Sequence, residues 1–145
     1  MVHALNEARR VLVSSGSLVD LRPVSCNPPI EILTGSGSIH AGLLDETPGE
    51  PDDLAADQAI AGVVRSGAFE AVHSEHFKIT NYWETLDGLT VYAAERWTDS
   101  AVIPDDVLRR AEAIVAEVEA EGDEGISGVR IMREMHMSKY SKKDK

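Results

Sequence analysis

Apolar residues recur along this chain with two different periods, and the two periods alternate from one segment to the next. Between Phe69 and Ile79, every second residue would lie on the same face of a strand, and the first and last residues of that face are apolar. Further along, Val107, Ala111 and Ile114 recur at the spacing of one helical face. Because the chain switches repeatedly between these two periods, it is predicted to form a mixed α/β fold.

The helical period marks four segments. Helices are predicted over residues 4–12, 53–66 and 86–97, and in a fourth segment that begins at Pro104. The second helix follows an acid-rich stretch, residues 45–57, which is predicted to be a solvated linker and the negatively charged start of that helix. These four helices are expected to flank a sheet.

The strand signals predict about three core strands and a short hairpin. The core strands are predicted over residues 17–21, 69–79 and 126–137, and Arg133 is the exception in the apolar alternation of the last one. The hairpin is predicted from Ile30 to Leu43 around a glycine-bearing turn. Residues 22–29 contain three prolines and are predicted to be a loop, and the lysine-rich residues 139–145 a frayed basic tail.

Composition narrows the classes of protein that remain. A chain of 145 residues fits a single domain with one core, predicted over residues 1–138. The formal charge of -11 argues against nucleic acid as a partner. The lone cysteine, Cys26, excludes an internal disulfide, and no signal-peptide or membrane-spanning pattern occurs, so a cytoplasmic protein is expected.

The start of the chain resembles one enzyme family. The run Glu-Ala-Arg-Arg-Val-Leu (residues 7–12), a small-residue turn, and Ser-Leu-Val-Asp-Leu-Arg-Pro (residues 17–23) are similar to the segment entering the fifth strand of class I S-adenosylmethionine-dependent methyltransferases. The later order of helix, strand, inserted helices and final strand is also similar. The resemblance implies a partial Rossmann-like sheet whose last strand runs antiparallel, between its predecessors, and it covers only the second half of that family's domain.

The cofactor-binding parts of that family are missing from this sequence. The resemblance associates S-adenosylmethionine with a Gly-rich turn after the first strand and with an acid at the end of the second. The one glycine cluster, Gly35 to Gly37, lies between two short strands and is predicted to be a hairpin turn. We therefore expect no cofactor to be bound by this chain alone, unless a partner chain supplies the loop.

Candidate site residues are few. Cys26-Asn27-Pro28-Pro29 is similar to the Asn-Pro-Pro-aromatic motif of amino-group methyltransferases, although Ile30 replaces the aromatic residue and a proline-rich loop is an alternative. A substrate pocket would lie near four residues, which are Asp20, Arg22, Asn27 and His40.

The sequence predicts neither a metal site nor a catalytic triad. His73 and His76 are three residues apart on a predicted strand, which directs them to opposite faces, so no metal site is expected. No catalytic triad can be assembled from the sequence.

Three classes of function remain open. The first is a non-catalytic methyltransferase-like module that acts as a homodimer or as one half of a split methyltransferase. Such a homodimer would form through the edge of the strand from Ser17 to Leu21 or through the hairpin. The second is a small enzyme or ligand-binding protein that reuses the half-fold. The third is a truncated methyltransferase without independent activity.

Overall fold

The computed structural model describes residues 2–24, 27–121 and 125–143. It contains four α-helices, which are α1 (Val2–Val11), α2 (Glu50–Arg65), α3 (Leu86–Arg96) and α4 (Asp105–Glu121). The five strands are β1 (Ser17–Pro23), β2 (Pro29–Thr34), β3 (Gly37–Leu43), β4 (Phe69–Trp83) and β5 (Ile126–Lys142). The α/β class predicted from the sequence is confirmed.

The strands form one sheet around β5. The strand order is β1-β5-β2-β3, and β4 also pairs with β5. The pairs β1–β5, β2–β5 and β2–β3 are all antiparallel. The predicted antiparallel last strand and the hairpin are therefore confirmed, and the hairpin belongs to the same sheet as the other strands. The specific Rossmann-like arrangement stays a prediction.

The chain divides into two compact units. The described parts of the first are residues 2–24, 50–77 and 134–143, and those of the second are residues 27–49, 78–121 and 125–133. In the first unit, α1 packs against α2. A small core of Val63, Ala68 and Phe69 is extended by Leu5, Leu12, Leu18 and Tyr140. Leu18 and Tyr140 are directly paired across β1 and β5, so both helices cover this one face of the sheet.

Within the first unit, β5 lies between two strands. β1 occupies one edge of β5 over residues 135–141. The Ser74 hydroxyl of β4 lies 2.7 Å from Nε2 of His136 on β5. Because a strand has only two hydrogen-bonding edges, β4 must pair along the other edge.

The second unit holds the larger core. Ile30, Ile32, Val129 and Ile131 are at most 1% exposed and pair across β2 and β5. Helices α3 and α4 cover this face with apolar side chains that include Leu89, Val107, Ala111 and Ile114. A Cβ atom at Gly42 would lie 2.5 Å from a Val107 methyl group. Only glycine therefore lets α4 approach β3 this closely.

Several element ends differ from the predictions. β1 continues through Arg22 and Pro23, which were predicted to lie in a loop. The backbone N–H of Val24 donates to the carbonyl of Glu134. Because hydrogen-bonded residues alternate along an antiparallel ladder, the even-numbered residues of β1 bond to β5, and the nitrogen of Pro23 faces away from β5. A proline whose nitrogen faces away from the ladder costs no hydrogen bond to β5. Residues 139–142 of the predicted frayed tail instead belong to β5, and residues 139–141 pair with β1. α2 begins at Glu50 rather than at residue 53, and β4 continues to Trp83.

Replacing Thr85 with alanine is expected to destabilise the protein by about 1 kcal/mol. Thr85 caps α3, because its extended backbone lets the side-chain oxygen accept the Gly88 N–H at 3.0 Å. Alanine would leave that N–H without its intramolecular partner. Urea denaturation followed by circular dichroism measures the effect, and Thr85→Ser, which keeps the hydroxyl, should stay close to wild type. Equal losses in both variants would contradict the capping role.

Candidate functional site

Two of the four predicted site residues lie on one polar face of the first unit. In the antiparallel register of β1 and β5, Asp20 is opposite Ser138 and Arg22 is opposite His136. Directly opposed residues in such a ladder direct their side chains to the same face. Asp20 and Arg22 are therefore brought together with two polar residues of β5 that the sequence analysis did not select.

Arg22 is the most completely bonded side chain of this face. Its Nε donates to both Asp20 carboxylate oxygens, at 3.0 and 3.1 Å, and its Nη2 donates to Asp20 at 2.8 Å and to Asp57 of α2 at 2.7 Å. Its Nη1 donates to the backbone carbonyl of Asp53 at 3.3 Å. Partial burial lowers the pKa of Arg22, but the hydrogen bonds and charges of the two aspartates outweigh burial and hold the pKa above its ordinary value. Arg22, which was predicted to lie near a substrate pocket, therefore links β1 to α2.

Next to this link between β1 and α2, two histidines stack on the same face. The rings of His76 and His136 lie 4.7 Å apart between centroids. Nδ1 of His76 lies 3.1 Å from a Glu134 oxygen, and Nε2 of His136 contacts the hydroxyls of Ser74 at 2.7 Å and Ser138 at 3.1 Å. We call this group the histidine cluster.

The histidine cluster contains the residue types of a serine nucleophile site, namely serine, histidine and a carboxylate. Their hydrogen bonds do not connect them in the order that such a site requires. A serine nucleophile needs a histidine base that a third group orients through its other nitrogen. Here the carboxylate of Glu134 bonds to His76, whereas the serines contact His136. The described hydrogen bonds therefore do not assemble a triad, and the cluster stays a polar surface. Its members are distant in sequence, so only the register of β4 and β5 could have revealed it.

The other two predicted site residues belong to the second unit. The Asn27 side-chain oxygen accepts the Glu46 N–H at 2.9 Å, and the Pro28 carbonyl accepts the Leu44 N–H at 2.9 Å. These bonds hold the proline-rich segment against residues 44–46. The amide oxygen that the Asn-Pro-Pro motif would offer to a substrate nitrogen thus already has a partner. His40 is exposed on β3, opposite Glu31 of β2.

A buried ion pair in the second unit was not anticipated from the sequence. Nε of Arg133 donates to Oε1 of Glu46 at 2.9 Å, and their side chains are only 16% and 9% exposed. The guanidinium lies 4.9 Å from the ring centroid of Trp97, which also contacts Trp83 and Tyr92. Among the described residues, the second carboxylate oxygen of Glu46 has no hydrogen-bond partner. This arrangement anchors the segment before α2 and does not present a charge to solvent.

The first unit also exposes apolar residues of β1. Val19 and Leu21 are 54% and 53% exposed, and their side chains lie on the face opposite the one that α1 and α2 cover. Among the described residues, β1 pairs only with β5. Since the even-numbered residues of β1 bond to β5, the N–H and C=O groups of Val19 and Leu21 point to the open edge. We call this side of the strand the open edge of β1.

The part of the chain that the structure describes contains no cluster of metal ligands and no membrane-spanning helix. Within residues 2–24, 27–121 and 125–143, no three His, Cys, Asp or Glu residues are arranged to hold a metal ion. His73 contacts Glu75 whereas His76 contacts Glu134, each from strand β4. No helix in these ranges is long and apolar enough to span a bilayer. Cys26 lies outside the described residues.

Comparison with known proteins gives no relative. No family model, no curated protein and no solved structure matches this chain.

Proposed function

We propose that this chain is a methyltransferase-like half-domain that is non-catalytic by itself and acts as a homodimer through the open edge of β1. The observation that supports it best is the arrangement of the first unit, where β5 runs antiparallel to β1 and lies between β1 and β4. The methyltransferase resemblance implies the same order for the second half of that family's sheet. Helices α1 and α2, which both pack on one face, agree with such a half-sheet.

The open edge of β1 supports the proposal that two copies of the chain associate. An edge strand presents unpaired N–H and C=O groups to any strand that can add to it, and proteins usually cover such edges. In β1 these groups lie beside exposed Val19 and Leu21, so pairing would bury apolar side chains together with backbone groups. The residues suggested for substrate binding support a small-ligand function less well. Arg22 and Asn27 are bonded within their own units.

The proposal also states that the chain alone binds no S-adenosylmethionine and that it works in the cytoplasm. Because the Gly-rich turn of the resembling family is missing from the sequence, the chain alone should not take up S-adenosylmethionine. The single cysteine supports work in the cytoplasm, where thiols stay reduced.

Sedimentation equilibrium of the 145-residue chain at micromolar concentration tests the homodimer. We expect a species of twice 15.7 kDa, and Leu21→Lys should weaken dimerisation at least about 30-fold, because the lysine enters the interface twice. Leu54→Lys on α2 is the matched control, since Leu54 is 58% exposed against 53% for Leu21. This control should change the dissociation constant less than about 3-fold, within the usual small effect of surface substitutions.

A monomeric wild-type chain would overturn the proposed homodimer. Calorimetry with S-adenosylmethionine tests the second part of the proposal, which predicts no heat of binding to the chain alone. Tight binding of one S-adenosylmethionine per chain would show instead a complete cofactor site.

A further inference from the structure

We infer that two copies of this chain pair antiparallel along β1 with Leu21 on the two-fold axis, so that each Asp20 faces the partner's Arg22. This inference rests on the proposed function and adds the geometry of its interface. The geometry follows from three features of β1, namely which backbone groups point outward, where the charges lie, and which side chains are exposed.

The backbone restricts the possible registers. Gly16 and Val24 both bond to β5, through the Lys142 N–H and the Glu134 carbonyl. Hydrogen-bonded pairs alternate along an antiparallel ladder, so Ser17, Val19, Leu21 and Pro23 carry the outward-facing groups. A symmetric pair of β1 strands must join these odd-numbered residues to one another. Registers that pair at least three of these four residues place the two-fold axis at Val19, Asp20 or Leu21.

Charge decides among these three registers. With the axis at Leu21, Asp20 of each copy stands opposite the partner's Arg22, and the charges on that face alternate. With the axis at Asp20, the two Asp20 residues would face each other with their Cα atoms about 4.5 Å apart. The repulsion between their two carboxylates would destabilise this register. With the axis at Val19, Asp20 would face Leu18 and Arg22 would face Gly16, which offers no opposite charge.

Hydrogen bonding and apolar contact are compatible with the Leu21 register. The two Leu21 residues exchange both of their backbone hydrogen bonds, and each Val19 N–H donates to the partner's Pro23 carbonyl. Pro23 has no N–H, so one hydrogen bond is lost at each end of the ladder. On the opposite face, the exposed side chains of Leu21 meet each other beside Met137, which pairs with Leu21 in β5.

Cysteine cross-linking distinguishes the registers. In a Cys26→Ser background of the full chain, the variants Leu21→Cys, Asp20→Cys and Val19→Cys are oxidised under mild conditions, and dimers are counted on a non-reducing gel. In the Leu21 register the two Leu21 Cα atoms are about 5.5 Å apart, within disulfide range. The two Asp20 Cα atoms are about 8 Å apart and the two Val19 Cα atoms about 14 Å apart, both too far for a disulfide.

We expect Leu21→Cys to cross-link at least about 10-fold faster than the other two variants and than Leu54→Cys, which measures random collision. Circular dichroism confirms that each variant is folded, and Arg22 keeps Asp57 as a partner when Asp20 is replaced.

Fastest cross-linking at Val19 would overturn the Leu21 register while leaving the homodimer standing. A dimeric chain in which none of the three β1 cysteines reacts faster than Leu54→Cys would overturn pairing through β1. A monomer in sedimentation would instead contradict the proposed function itself.

Discussion

Replacing Arg133 with methionine is expected to destabilise the protein by about 3–5 kcal/mol. The substitution leaves the Glu46 carboxylate buried without its counter-charge, and one oxygen of that carboxylate has no hydrogen-bond donor in the described part of the chain. It also removes the cation above the Trp97 ring. Urea denaturation measures the loss as a lower midpoint at an unchanged slope.

Two further variants test this explanation. The double variant Glu46→Gln with Arg133→Met removes both charges and should recover much of the stability, because the main cost is the unpaired charge. Arg130→Met is the matched control on β5. Arg130 pairs with Glu31 at side-chain exposures of 30% and 20%, so its loss should cost about 1 kcal/mol or less. Equal losses in Arg133→Met and Arg130→Met would contradict the role of burial.

Replacing Ile131 with alanine should destabilise the protein by about 2–5 kcal/mol. Ile131 is fully buried and pairs with Ile30 at the centre of the larger core, so alanine leaves a cavity that its neighbours on β2 and α4 fill only in part. Ile39→Ala makes the same chemical change at a 39% exposed position of β3 and should cost less than about 1 kcal/mol. The comparison is made by thermal and urea denaturation, and similar costs at the two positions would contradict this assignment of the core.

The elements of the fold were predictable where local periodicity decides them. The stripe after Pro104 gave helix α4, and the alternation after Phe69 gave β4, because each pattern is set by residues close in sequence. The extension of β1 through Pro23 was not predictable in this way. Whether a proline disrupts a strand depends on which edge its nitrogen faces, and pairing with β5 determines that edge.

The sites depend on contacts between distant residues, which a single sequence does not display. Arg133 stood out only as the exception in the apolar alternation of β5, and Glu46 only as one acid in an acid-rich segment. The structure pairs them across 87 residues of sequence, which explains both the charge on a buried face and the burial of one acid. Asp20 and Arg22, both predicted near a substrate pocket, form an ion pair on β1, but no local pattern identifies Asp57 of α2 as the second partner of Arg22.

The contacts of Trp97 with Trp83 and Tyr92 also determine which unit of the molecule gives the tryptophan fluorescence. Both tryptophans of the chain, Trp83 and Trp97, belong to the second unit, and Arg133 lies against one of them. Intrinsic tryptophan fluorescence therefore reports the unfolding of the second unit, whereas the first unit contains no tryptophan and a single tyrosine, Tyr140. Fluorescence and far-ultraviolet dichroism recorded on one sample would show whether the two units melt together or one after the other.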